Sequence, residues 1–240
     1  MAQVYFHCSN SKEVRIDQSG AVVSNLAETR DHAACVVQLM IRESSAEDWR
    51  DWVVHVSDAY DDEIFEVPFY PVDARMETGL KNRYDDPAAV GADRIVNAVA
   101  AGHHYGFPAI IVDIGTATTV EAVNGEGCYL GGAILTGLYV ALDALVARTA
   151  KLPSVDLEEE APSVIATNTP DSIRSGFIYG YAGAIDALIR RSLDELGEQN
   201  ANVVATGGPA SVIVPYCREI HEFDPDLTLK GLLALYEMNS

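Results

Sequence analysis

From Ile110 the chain reads IIVDIGTATTV, an apolar run that ends in a carboxylate, then a glycine and a cluster of threonines. A short continuous apolar run is the pattern of a strand buried on both faces. A strand is therefore predicted over AIIVDIG, a second over TTVEAV, a hairpin turn at Gly125-Glu126-Gly127 and a third strand over CYLGGAIL. After Gly137, the residues Leu138, Leu142, Leu145, Val146 and Thr149 fall at helical spacing. Thr169 reads as the cap and Pro170 as the opening residue of a long helix, with Gly176, Gly180 and Gly183 along one side. The segment SVIA before it reads as a further strand, and NVVATGGPAS as strand, glycine turn and helix start.

The N-terminal part repeats the theme. QVYF, the turn HCSNSK and EVRID form a strand–turn–strand unit, with Gly20 closing a hairpin. A polar helix is predicted from Glu28 to about Ser44, a strand over WVVHVS, and extended segments around EIFEVPFYPV. Asp86 then caps a helix that Pro87 opens and that continues through GADRIVNAVAAGHH. Strands alternating with helices imply an α/β fold. Strand–turn–strand units near residues 4–16 and 110–123 suggest a duplication at long period. The expected organisation is two lobes, 1–107 and 108–240, with a cleft between them.

Composition narrows the partners. With 240 residues and 48% apolar content the chain can bury a large core, which excludes a disordered protein. The longest apolar stretch is interrupted by Asp143, and MAQVYFHCSN has no basic-then-apolar leader pattern, so a cytoplasmic protein is expected. A formal charge of −20 repels nucleic acid and anionic membrane, and neither is an expected partner. Four scattered cysteines and the absence of an H-x-x-x-H face give no zinc pattern.

Three short stretches could carry chemistry. A carboxylate at the end of a buried strand, such as Asp113, is costly unless a cation or several donors meet it. Gly115 allows close approach, and Thr116, Thr118 and Thr119 offer hydroxyls that can grip phosphate oxygens, although a plain capped turn has the same pattern. In Gly91-Ala92-Asp93-Arg94, a helix first turn favours bound anions. Asp93 could accept a hydroxyl proton and Arg94 could hold a carboxylate or phosphate. The plain alternative is a capping aspartate and a salt-bridged arginine. Thr206-Gly207-Gly208-Pro209 is either a nucleotide-side turn or a connector.

Together, GADR, DIGTATT, YLGGAI, TAKLP, the segment from Asn168 through SIRSG, ATGG and DPDLTLKGLLALY resemble type III pantothenate kinase. The resemblance is densest from Tyr84 onward. It implies the acetate and sugar kinase/Hsc70/actin superfamily, with two ribonuclease H-like lobes around a central ATP cleft. It also implies phosphorylation of pantothenate by Mg²⁺-ATP, the first step of coenzyme A biosynthesis, usually by a homodimer. By resemblance Asp93 is the proton acceptor for the pantothenate hydroxyl, and Tyr84, Gly91, Ala92, Asp93, Arg94 and Thr169 contact the substrate. Asp113 binds a monovalent cation, K⁺ or NH₄⁺, and Thr116 touches ATP. The family's first phosphate loop has the form D-x-G-N-T, and here it is His7-Cys8-Ser9-Asn10-Ser11, followed by Lys12. The loop lacks the family's aspartate and glycine, so the expectation divides. One reading is an active pantothenate kinase with a degenerate first loop. The other is a weak or inactive homologue that binds or regulates. A kinase for another small alcohol stays open beside them.

Overall fold

The structure is a computed structural model that describes residues 2–24, 29, 33, 36, 52–60, 62–68, 76–149, 151–159 and 161–239. It divides into two compact units, Met1–Asp73 and Ala74–Ser240, each with its own sheet. The sequence placed the boundary near Phe107. The difference arises because the helix before Phe107 packs on strands and a helix that follow it, so residues from Ala74 on join the second core.

In the first unit, β1 (Ala2–Ser9) pairs antiparallel with β2 (Val14–Arg15), β3 (Ala21–Val23) and β4 (Val53–Asp58), and β4 pairs with β5 (Glu63–Pro68). Alternation decides the faces: Val4, Phe6 and Cys8 are buried with Val54, Val56 and Trp52, whereas Tyr5, His7 and Ser9 point the other way. The predicted helix from Glu28 to Ser44 and the end of EIFEVPFYPV fall mainly outside the described residues.

The second unit carries β6 (Lys81–Asn82), β7 (Ala109–Ile114), β8 (Ala117–Val123), β9 (Cys128–Thr136), β10 (Asn202–Thr206) and β11 (Glu222–Phe223). Its sheet runs β11-β10-β7-β8-β9-β6. An antiparallel meander, β7 to β9, is followed by β10 and β11, added in parallel on the far side of β7. This is the ribonuclease H-like strand order expected of a lobe. The helices are α1 (Ala92–His104), α2 (Leu138–Ala147), α3 (Thr169–Leu196), the single turn α4 (Ala210–Ile213) and α5 (Leu227–Asn239). β7 is buried on both faces. Ile110, Val112 and Ile114 meet Ile185 and Ile189 of α3, while Ala109 and Ile111 meet Ala98 and Ala101 of α1. Among the described residues no helix is long and apolar enough to cross a membrane.

Three local predictions change. Asp86 does cap, accepting from Ala88 N at 3.1 Å, but it starts only the 3₁₀ turn Pro87–Ala89. Val90 is extended, and α1 begins afresh with Gly91 at its cap, which leaves the GADR segment at a true helix N-terminus. The cap of α3 is Asn168, which accepts from Asp171 N at 3.0 Å, so Thr169 is the first helical residue. SVIA forms no strand, because residues 163–166 have no ladder partner and stay largely exposed.

Candidate functional site

Asp113 is the last polar position of β7, and its register partner on the parallel neighbour β10 is Thr206. The C-terminal ends of adjacent parallel strands are where α/β sheets place ligands. Two glycines open this end. A Cβ on Gly207, whose φ is +101°, would lie 2.3 Å from Ile114 O and 2.9 Å from Asp113 Oδ1. A Cβ on Gly137 would lie 2.1 Å from Gly115 O and 2.4 Å from Thr116 O. Both contacts are below any tolerable separation, so the backbone around the Gly115-Thr116 turn closes only without side chains there. Gly137→Ala should cost about 1–3 kcal/mol by overpacking against backbone. Urea unfolding measures this, and an unshifted midpoint would mean that the turn moves aside freely.

Helix α1 supplies the other carboxylate. Asp93 sits in its first turn, with Oδ1 accepting from Arg94 N at 3.0 Å. One turn on, Asn97 Nδ2 donates to Asp113 Oδ2 at 2.9 Å, and Thr228 of α5 donates its hydroxyl to Asn97 Oδ1 at 2.7 Å. Asp93 and Asn97 are four residues apart and so share a helix face. Burial, then the charge of Asp93, push Asp113 up to about 6; the Asn97 bond opposes this and Glu121 adds a little. The two acids that the sequence singled out are therefore within electrostatic reach of each other.

A carboxyl raised in the folded state favours the protonated form, so its ionisation destabilises the fold. That penalty is absent below the unfolded pKa near 4, grows as pH rises, and is complete above about 6. Asp113→Asn should therefore gain on the parent between pH 4 and 6.5, reaching about 3 kcal/mol without added cation. Potassium should narrow the gap. Urea melts across this pH range, with and without potassium chloride, test both statements. A gap independent of pH would refute the first.

Arg94 turns inward to a carboxylate. Its side chain is 10% exposed and Glu121 is 1% exposed. Arg94 Nε and Nη2 donate to Glu121 Oε1 and Oε2, each at 2.8 Å. Tyr129, fully buried, donates its hydroxyl to the same Oε2. The guanidinium lies 5.5 Å from the ring centre of Tyr84 and 5.9 Å from that of Tyr129. Burial, the largest single influence, would ease loss of the proton, but the bond to Glu121, its charge and the smaller contributions of Tyr129 and Tyr84 together outweigh it and hold Arg94 charged. Burial and then Glu121 raise the Tyr129 phenol far above its usual range. The salt-bridge reading of Arg94 is the one realised, and Tyr84 comes with it.

The remaining candidates separate. Thr118 is fully buried, so its hydroxyl cannot serve phosphate, whereas Thr116 is exposed on the turn. Thr169 is exposed at the start of α3, beside a hollow of about 380 Å³ lined by Leu145, Leu152, Ile173 and Phe177. Gly91 and Ala92 open α1, and a Cβ on Gly91 would strike Asp93 Oδ1 at 2.4 Å.

In the first unit the Cys8 thiol is in the core, and burial pushes it up to about 11, so its side chain cannot contact nucleotide. Asp17 N donates to His7 Nδ1 at 3.2 Å. Ser9 Oγ meets His55 Nε2 at 2.8 Å, and Asn10 Oδ1 accepts from Lys12 N and Glu13 N at 2.8 Å each. Ser11 and Lys12 are exposed. Among the described residues one group, His55 with Glu63 and Glu66, has ligand atoms close enough for a metal ion. Its imidazole Nδ1 is already paired with both carboxylates, at 2.8 and 3.2 Å.

Sequence reasoning missed Asn97, Thr228, Glu121 and Tyr129. A signal existed for two of them: Asn97 repeats Asp93 at one helical turn, and Glu121 is a charge inside the apolar TTVEAV strand.

The profile of the family described as type III pantothenate kinase matches residues 6–191. A protein of that name from Rubrobacter xylanophilus is 68% identical over 182 residues, covering 74% of this chain and 69% of its own. Another, from Citrifermentans bemidjiense, is 40% identical over 231 residues, covering 96% and 89%. Among solved structures, a 15-stranded ParM filament from Clostridium botulinum overlaps 98% of this chain and 84% of its own at 8% identity and a TM-score of 0.43, too weak a likeness to support a conclusion.

Proposed function

The chain belongs to the type III pantothenate kinase family, whose reaction is phosphorylation of pantothenate by ATP in coenzyme A biosynthesis, and from this premise we propose how its residues divide the work. The observation that carries the proposal is that Asp93, in a helix first turn, lies one turn before Asn97, whose amide donates to Asp113 at the end of β7. Phosphoryl transfer passes through a loose transition state, so positioning and charge compensation supply most of the catalysis. Asp93 orients the pantothenate alcohol and takes its proton late.

Mg²⁺-ATP is the phosphoryl donor. Asp113 is a half-buried acid raised first by desolvation and then by a neighbouring acid, with Oδ1 facing the space that Gly207 leaves open, and this donor set suits a monovalent cation. Bound there, such a cation supplies fixed positive charge beside the phosphates. Asn97 and Thr228 keep Asp113 aimed. Thr116 and the turn that Gly137 admits meet ATP, while Tyr84, Gly91, Ala92 and Thr169 form the pantothenate side, with the Arg94 guanidinium held behind them by Glu121. In the first loop Ser11 and Lys12 are the side chains presented to solvent, and His7, Cys8, Ser9 and Asn10 contribute through the backbone they shape. The reading includes a cytoplasmic homodimer, which light scattering would test; a monomer at micromolar concentration would remove that part.

The deciding experiment is ADP release with pantothenate, Mg²⁺-ATP and potassium, run beside His7→Asp. Turnover by the parent supports the kinase. A silent parent with an active His7→Asp variant would mark the first loop as the lesion. Silence in both, with pantothenate still bound by calorimetry, would identify a binding protein. No relative found favours the regulatory alternative.

A further inference from the structure

Glu121 and Tyr129 have no role in the scheme above, yet they are among the most enclosed polar groups of the second unit. Glu121 is 1% exposed on β8, Tyr129 is fully buried on β9, and both meet the side chain of the residue that follows Asp93. A bidentate guanidinium–carboxylate pair fixes direction as well as distance. It therefore ties the first turn of α1 to the meander at a single angle. The Tyr84 and Tyr129 rings, 6.4 Å apart at 43°, lie 5.5 and 5.9 Å from the guanidinium.

We propose that Glu121, with Tyr129, is a positioning residue for the phosphoryl transfer: by clamping Arg94 it sets the orientation of Asp93 and of Tyr84 toward the pantothenate alcohol. The inference rests on the kinase reading and goes beyond it, because it gives Arg94 a task inside the protein rather than on the substrate. Arg94 N donates to Asp93 Oδ1, and the Arg94 guanidinium is held by Glu121, so one residue links the carboxylate to the clamp. A change in the clamp must pass to Asp93 through that residue. Glu121 also contributes to the field at Asp113, so the same group touches both acids electrostatically or mechanically.

The test uses Glu121→Gln and, as the milder change, Tyr129→Phe in the full chain. Steady-state kinetics should show kcat down by about 10²-fold in Glu121→Gln, as a misplacement near 1 Å would give, and by a smaller factor in Tyr129→Phe. The KM values for pantothenate and ATP should stay within about 3-fold. A raised pantothenate KM with unchanged kcat would overturn the proposal, because Arg94 would then be acting as a substrate ligand. Unchanged kcat with lowered thermal stability would overturn it too, leaving a purely structural pair.

A second readout does not depend on turnover, so failure of the kinase reading leaves it usable. Amide hydrogen exchange should rise about tenfold or more at Arg94 and Ile95 in Glu121→Gln, while Ala98 to Ala101 keep their protection. Unchanged exchange in the first turn, or uniform loss along α1, would refute the clamp even in an inactive protein.

Discussion

Asp93→Asn is expected to lower pantothenate turnover by about 10²- to 10⁴-fold, the usual contribution of a positioned proton acceptor. The substitution is informative because it spares the local structure. Asp93 Oδ1 accepts from Arg94 N at 3.0 Å, and an asparagine oxygen can take the same bond. The first turn of α1 should therefore form as before, with Gly91 leaving room for the side chain. What is lost is the negative charge and the proton-accepting oxygen. The charge that raises Asp113 is lost with it, so Asp113 should titrate lower in the variant. Kinetics give the first result, and carbon-13 NMR of the Asp113 carboxyl gives the second. A variant with more than about half the parent turnover would remove Asp93 from the mechanism.

The largest stability effect is expected at the other side chain of that turn. Arg94→Met leaves Glu121 almost fully buried with its guanidinium gone, and breaking one partner of such a pair costs about 3–5 kcal/mol. The bond from Tyr129 remains, but it cannot replace two charge-assisted bonds. Replacing both partners by apolar residues, Arg94→Met with Glu121→Leu, should recover much of the loss, since no charge is then stranded. Urea unfolding of the two variants makes the comparison. Equal stability of the single and double variants would show that Glu121 finds water or another donor, and would contradict its enclosure.

Surface positions show where the linear pattern is a weak guide. Gly176, Gly180 and Gly183 sit on a side of α3 where an added Cβ would meet nothing within 4 Å. Their shared side is legible in the sequence, but only neighbours in space decide whether a small face is covered. Thr118 shows the converse. Among the clustered hydroxyls of DIGTATT it is the one carried into the core, because strand alternation sends it inward opposite Ile114.

Much of the fold follows from local pattern. The meander β7 to β9, the helix after Gly137 and the strand NVVAT are set by runs and periods only a few residues long. Such patterns act through short-range sterics and the burial of one face. The motifs GADR and DIGTATT also marked Asp93 and Asp113 before any geometry, since a carboxylate beside glycine at an element end is locally unusual. Three matters were decided only by the tertiary structure: that the two acids share a field, that Asn97 and Thr228 steady one of them, and that Arg94 turns inward to Glu121. Each depends on contacts between residues 16 to 131 positions apart. Burial then settles the chemistry, because the same arginine would bind a substrate in water but pairs with the nearest carboxylate once both have left it.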